Sequence, residues 1–225
     1  MVNKEGMLTQ KGFDLIQILS KNRILPAITI NNVEDALPLT EALLKGGLEV
    51  MEIAFRTKAA EASIAQIRKH FPEMTVGAGT LVHTDQVLKA IDSGALFGLA
   101  PGFNPRLCQF AIDHKFEMIP GVITPSEIEN AYDLGFRILK LFPISQFGGM
   151  ELLKALNGPY GQLGVRYIPM GGVDIGNFGE YLKDKNVVSV GGSWIASGKL
   201  IQAKNFQAIQ ENVTHALLKI QGTGI

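Results

Sequence analysis

Lys140 is the one charge inside Ile138-Leu-Lys-Leu-Phe142, a run apolar enough for a buried strand and ended by Pro143. Burying an ammonium is costly because leaving water disfavours the charged form. Lys140 should therefore be either paired with an acid or neutral. A neutral amine is a nucleophile, and desolvating a lysine is a common way to form a Schiff base with a carbonyl substrate. The plainer alternative is a strand-end lysine that snorkels to solvent or holds a structural ion pair. A second charged group of residues, Glu52 and Arg56, lies in another strand-like run, Val50-Met-Glu-Ile-Ala-Phe-Arg56. Two glycine-rich stretches, Gly171-Gly172 and Gly191-Gly192-Ser193, have the composition that lets backbone N–H groups approach an anion closely. Either stretch could equally be a tight turn.

These residues need a scaffold, and the chain supplies a regular one. An amphipathic helix is expected over residues 9–21, with Phe13, Ile16 and Leu19 on one side. Strands are then expected at 24–30, 50–56, 75–80, 97–102, 117–123, around Lys140, at 166–170 and at 187–192. Each is followed by a helical pattern within a few residues. Asn32 is placed to cap one helix, with Pro38 as an objection inside it, and Gly46-Gly47 ends it. Thr124 caps another, with Pro125 at its first position and Gly135 past its end. Eight βα units in about 200 residues are the signature of a TIM (β/α)8 barrel, here with an extra N-terminal helix. The runner-up, a doubly wound sheet, lacks its dinucleotide fingerprint: Gly77-Ala-Gly79 has no third glycine three residues on. No linker or low-complexity segment divides the chain, so residues 1–225 are expected to form a single domain.

Side chains alternate along a strand. In the second strand Met51, Ile53 and Phe55 share one face, while Glu52, Ala54 and Arg56 share the other. In the sixth, Leu139 and Leu141 face outward, leaving Ile138, Lys140 and Phe142 inward. An acid and a lysine thus converge on one cavity near the strands' C-terminal ends, where barrels keep their chemistry. The alternative is a buried ion network that holds the barrel together, in which Arg56 would satisfy Glu52. The two glycine stretches end strands seven and eight, whose loops form a phosphate site in many barrels. Thr80 ends the third strand; its hydroxyl is a candidate carboxylate ligand beside Arg56, or simply a cap or turn residue. His83 follows it in the loop and could reach the mouth or remain solvated. His70, His114 and His215 fall on helical patterns.

Composition excludes several classes. The 21 basic and 21 acidic residues balance, with no basic run, so no nucleic-acid partner is expected. No apolar stretch approaches the roughly 18–20 residues needed to span a membrane. The first residues lack the apolar core of a signal peptide. The single cysteine, Cys108, cannot form an internal disulfide, so a cytoplasmic protein is expected. Four histidines and one cysteine show no metal-ligand spacing.

Several of these segments together, Glu52-Ile-Ala-Phe-Arg-Thr57, Val76-Gly-Ala-Gly-Thr80, Leu139-Lys-Leu-Phe-Pro143, Met170-Gly-Gly172 and Gly191-Gly-Ser-Trp194, resemble the 2-keto-3-deoxy-6-phosphogluconate (KDPG) and 4-hydroxy-2-oxoglutarate (KHG) aldolase family. The resemblance runs in order from about Ile24 to Trp194. It implies a class I aldolase on a TIM barrel, commonly trimeric and needing no metal or other cofactor, that splits a 2-keto acid into pyruvate and an aldehyde. It further implies Lys140 as the Schiff-base lysine and Glu52 as the general acid/base. Arg56 and Thr80 would hold the pyruvate carboxylate, and Phe142 would form an aromatic wall. Gly171, Gly172, Gly192 and Ser193 would bind phosphate, and Pro101 would line the mouth. The family's gluconate-type enzymes carry threonine before the Gly-Gly pair, where this chain has Met170. That departure leaves the galactonate epimer as an alternative substrate. The remaining rivals are a phosphate-binding isomerase or epimerase using Glu52 as base, and a sugar-phosphate-binding barrel without turnover.

Overall fold

The computed structural model describes residues 14–223, so the start of the expected first helix and Phe13 lie outside the described residues. What is described of that helix is α1 (Leu15–Asn22), capped by Asp14, whose side chain accepts from the Gln17 N–H. Strands follow as β1 (Ile24–Ile28), β2 (Val50–Ala54), β3 (Thr75–Gly79), β4 (Phe97–Leu99), β5 (Glu117–Ile119), β6 (Gly121–Val122), β7 (Ile138–Leu141), β8 (Arg166–Pro169) and β9 (Val190–Gly192). Among the described residues the ladders between them are parallel. One run of neighbours is β5-β4-β3-β2-β1-β9 and the other is β6-β7-β8.

The two runs are parts of one closed ring. The fifth barrel strand is split into β5 and β6 at Pro120, which has no N–H to give a ladder. Its carbonyl still accepts from the Lys140 N–H at 3.0 Å. On the other side Tyr167 of β8 bridges Val187, just before β9, through Tyr167 N to Asn186 O at 2.7 Å and Val188 N to Tyr167 O at 3.1 Å. The result is the eight-stranded α/β barrel expected from the sequence.

Alternation divides the apolar residues into two cores. Met51, Ile53, Leu139 and Leu141 pack outward against the helices. Leu25, Val50, Phe97, Ile119, Ile138 and Ile168 fill the barrel. Leu15 and Leu19 of α1 join that inner group, so α1 closes the barrel's N-terminal end. Asn22 fastens it there, donating to the Ile18 carbonyl and accepting from the Glu49 N–H at 2.8 Å. Buried apolar surface on this scale is the main stabilising contribution, at about 25 cal/mol per Å² removed from water.

The ring of helices follows the sequence signals with local differences. Asn32 caps a short 3-10 turn at 33–35, and α2 (Ala36–Gly46) begins after it. Pro38 therefore falls in the first turn of α2, where its missing N–H has no intrahelical bond to break, and it is no obstacle. Gly46 of α2 packs directly against Val213 of α10 (Phe206–Thr223), tying the last helix to the first helix of the ring. Thr124 caps α6 (Pro125–Asp133) as expected, and with Glu127 it forms a capping box. A five-residue helix at Gly198–Gln202 has no counterpart in the sequence reading.

Candidate active site

A cavity of about 290 Å³ opens at the C-terminal end of the barrel. Lys140 and Glu52 form its floor, 7% and 2% exposed respectively. Both reach the interior by strand alternation from β7 and β2, as expected. The Lys140 Nζ lies 3.7 Å from Glu52 Oε1, within ion-pair reach but too long for a hydrogen bond. The other carboxylate oxygen, Oε2, is buried with no partner. An unsatisfied buried oxygen costs roughly 1–3 kcal/mol, so the carboxylate is positioned for an incoming group rather than for stability.

β3 makes room for that carboxylate. Its register places Gly77 beside Glu52 and Gly79 beside Ala54. A Cβ on Gly79 would overlap the Glu52 carboxylate, and one on Gly77 would strike the Phe97 ring. The Gly-Ala-Gly segment is thus a notch for two inward side chains rather than a nucleotide loop.

β2 ends at Ala54, so Arg56 lies on the turn beyond it and still lines the cavity. Arg56 does not pair with Glu52; its Nε donates to Thr80 Oγ1 at 3.2 Å. Thr80 also lines the cavity, with φ of 61°. A β-branched residue in that left-handed region is strained by on the order of 1–3 kcal/mol, a cost found where a side chain must be held in place. The two side chains together present a cationic fork and a hydroxyl, the geometry that recognises a carboxylate.

Across the cavity, Phe142 flanks the amine, its ring centroid 5.1 Å from Lys140 Nζ. Met170, 2% exposed, continues the inner face of β8 and lines the cavity too. Its side chain occupies the space a Cβ on Gly191 would need, so Gly191 accommodates Met170 and does not line the cavity. Gly171 and Gly172 follow at φ of 85° and 84°, a conformation glycine adopts without penalty. Ile144 N, Ser145 N and Asn177 Nδ2 take the carbonyls of Met170, Gly171 and Gly172. Among the described residues no acceptor takes the Gly171 and Gly172 N–H groups, and Gly192 and Ser193 face them from the end of β9.

Ala54, placed inward by alternation, lines the cavity as expected, whereas the sequence reading did not single out Ala27, Thr29 and Val173, which complete the lining. Alternation would have found the first two, since residues 27 and 29 share the face of Leu25. Pro101 does not line the cavity: it is partly buried, with its carbonyl packed against Gly121. His83 stays outside as well. It caps α4 (Thr84–Asp92) and borders a separate surface cleft with Arg106. Cys108 is buried, and burial pushes its thiol up to about 11, which makes it an inert packing residue. Among the described residues no cluster of three or more His, Cys, Asp or Glu could hold a metal ion.

Comparison with known proteins follows the same lines. Residues 15–212 match the family model described as KDPG and KHG aldolase. The 2-dehydro-3-deoxy-phosphogluconate aldolase of Haemophilus influenzae is 40% identical, over 87% of this chain and 91% of its own. The KHG/KDPG aldolase of Escherichia coli K12 is 34% identical, over 89% of this chain and 93% of its own. Among solved structures, KDPG aldolase from Legionella pneumophila, with pyruvate captured as a covalent carbinolamine, superposes with a TM-score of 0.87 at 34% identity, covering 91% of this chain and 98% of that one.

Proposed function

Because the chain belongs to the KDPG and KHG aldolase family, we propose that it is a class I aldolase cleaving 2-keto-3-deoxy-6-phosphogluconate to pyruvate and glyceraldehyde 3-phosphate, with 4-hydroxy-2-oxoglutarate as a second substrate. The observation that carries this reading is the buried Lys140 amine facing the Glu52 carboxylate at 3.7 Å, on the floor of a cavity with carboxylate- and anion-binding groups at its mouth.

In this reading Arg56 and Thr80 hold the C1 carboxylate and bring the C2 ketone to Lys140. The neutral amine adds to C2, and loss of water from the carbinolamine gives a protonated imine. Glu52 takes the C4 hydroxyl proton, directly or through a water, as the C3–C4 bond breaks and its electron pair moves into the imine. The aldehyde leaves, and Glu52 returns a proton to C3 of the enamine. Hydrolysis then frees pyruvate and Lys140. Phe142 and Met170 shield the imine from bulk water. Gly171, Gly172, Gly192 and Ser193 hold the phosphate through backbone N–H groups and one hydroxyl. No metal or other cofactor takes part in these steps.

Residues 1–225 act as one catalytic domain, supported by the closed ring and by α10 packing on α2. A homotrimer is supported by the family resemblance, and light scattering should give three times the chain mass. A cytoplasmic setting is supported by the single cysteine.

The chemistry is tested by borohydride reduction in the presence of pyruvate, followed by peptide mapping. One adduct per chain on Lys140 is expected. An adduct on another lysine, or normal turnover by Lys140→Ala, would sink the mechanism.

A further inference from the structure

The roles proposed above use every polar side chain lining the cavity except Thr29. Thr29 follows β1 on the same inward face as Ala27. Ala27 pairs with Glu52 on one side, and Pro26 pairs with Gly192 on the other. Two residues of strand rise roughly 6–7 Å, so Thr29 stands one layer above Glu52 toward the mouth. It lies between the strand that leads to Arg56 and the strand that ends at Gly192-Ser193. Thr29 is partly exposed, and its hydroxyl makes no hydrogen bond within the described residues. Elsewhere, Thr40 and Thr57 each donate to a backbone carbonyl.

The substrate has a matching unmet need. Its carboxylate, ketone, C4 hydroxyl and phosphate each have a partner in the proposed mechanism. The C5 hydroxyl, next to the phosphate-bearing carbon, has none. Ala54, Val173, Met170 and Phe142 offer it no side-chain donor or strong acceptor.

We infer that Thr29 is a specificity-determining residue whose hydroxyl binds the C5 hydroxyl of the substrate, which is the C2 hydroxyl of the aldehyde product. This inference rests on the aldolase reading and concerns the acceptor rather than the Schiff base. A site built to hydrogen-bond a hydroxyl discriminates against the analogue that lacks it, because the protein group is then left unpaired. Ala27 beneath it is too small to fill that place, so the acceptor chain can lie against β1.

The test runs in the condensation direction with pyruvate and two acceptors, D-glyceraldehyde 3-phosphate and 3-phosphooxypropanal, which lacks the hydroxyl. Wild type should prefer the hydroxylated aldehyde. Thr29→Val, which preserves shape, should lower kcat/KM for that acceptor about 3- to 10-fold and leave the deoxy acceptor unchanged. Thr29→Ser should restore the preference. Borohydride trapping of pyruvate on Lys140, run on all three proteins, reports the fold and imine independently. Trapping in all three with an equal fall on both acceptors in Thr29→Val, or no recovery in Thr29→Ser, overturns the role of Thr29 alone. Absence of trapping in wild type overturns the aldolase reading and this inference with it.

Discussion

The floor of the cavity depends on residues chosen for what they leave out. Gly79 has an ordinary backbone conformation, so its purpose is space: a Cβ there would displace the Glu52 carboxylate. Gly79→Ala should therefore behave like a lesion in Glu52. We expect kcat to fall about 10²- to 10⁴-fold, the usual contribution of a positioned acid/base, while pyruvate is still trapped on Lys140. Unchanged kcat would mean that Glu52 can move without loss and is not the proton carrier. Met170 shows the same logic with the opposite sign, since its side chain fills the place that Gly191 leaves open. A methionine offers a substrate hydroxyl only bulk and a weak acceptor, where threonine would offer a hydrogen bond. Wild type should then separate the gluconate and galactonate epimers by no more than about 1–3 kcal/mol, and Met170→Thr should shift kcat/KM toward the gluconate one. A wild-type preference of several orders of magnitude for either epimer would show that residue 170 does not read C4. Strand alternation in the sequence was enough to bring Lys140 and Glu52 together. It would have reached Thr29 too, but a neutral residue in an apolar run carries no burial penalty to draw notice.

At the level of elements, the order and type of the barrel's units were legible because each apolar run is punctuated by glycine, proline or a capping residue. The irregularities were not, since they arise from pairing between distant segments. Pro120 divides the fifth strand only because its missing N–H matters to a neighbour, and residues 188–189 depart from the ladder after the Val187 bridge, before β9 resumes it. The packing of α1 under the barrel was equally hidden. That contact carries a titratable group: Glu117 begins β5 on the inward face, near Asp14 at the start of α1. Burial, and then the Asp14 charge, push its carboxyl up to about 7. A folded-state value above the unfolded one means the native protein binds this proton more tightly. The favourable contribution is thus fully present below about pH 4.3 and is lost as pH rises through 7. Glu117→Gln should raise Tm at pH 8, by up to roughly 3–4 kcal/mol in stability, and change it little at pH 4. The same gain at both pH values would place the effect in packing rather than in ionisation.

The molecule as a whole is a ring whose thinnest joint lies beside its proposed phosphate site. β2 and β3 pair over five residues and β7 and β8 over four, whereas β8 meets the last barrel strand through the single Tyr167–Val187 bridge. The loops after those two strands, Gly171-Gly172 and Gly192-Ser193, face each other across the cavity end of this joint. An anion held by both loops ties the two sides together and binds only the folded ring. Inorganic phosphate at 100 times its Kd should then stabilise the protein by about 2.7 kcal/mol. For a domain of this size that is a rise in Tm of roughly 5–10 °C. Hydrogen exchange should locate the effect, slowing the amides of Gly171, Gly172, Gly192 and Ser193 well beyond those of the β2–β3 ladder, because local opening needs less free energy than global unfolding. Ser193→Ala should keep the barrel intact and weaken the response to phosphate. If phosphate raises Tm while those four amides exchange as before, the anion binds elsewhere and the joint closes without it.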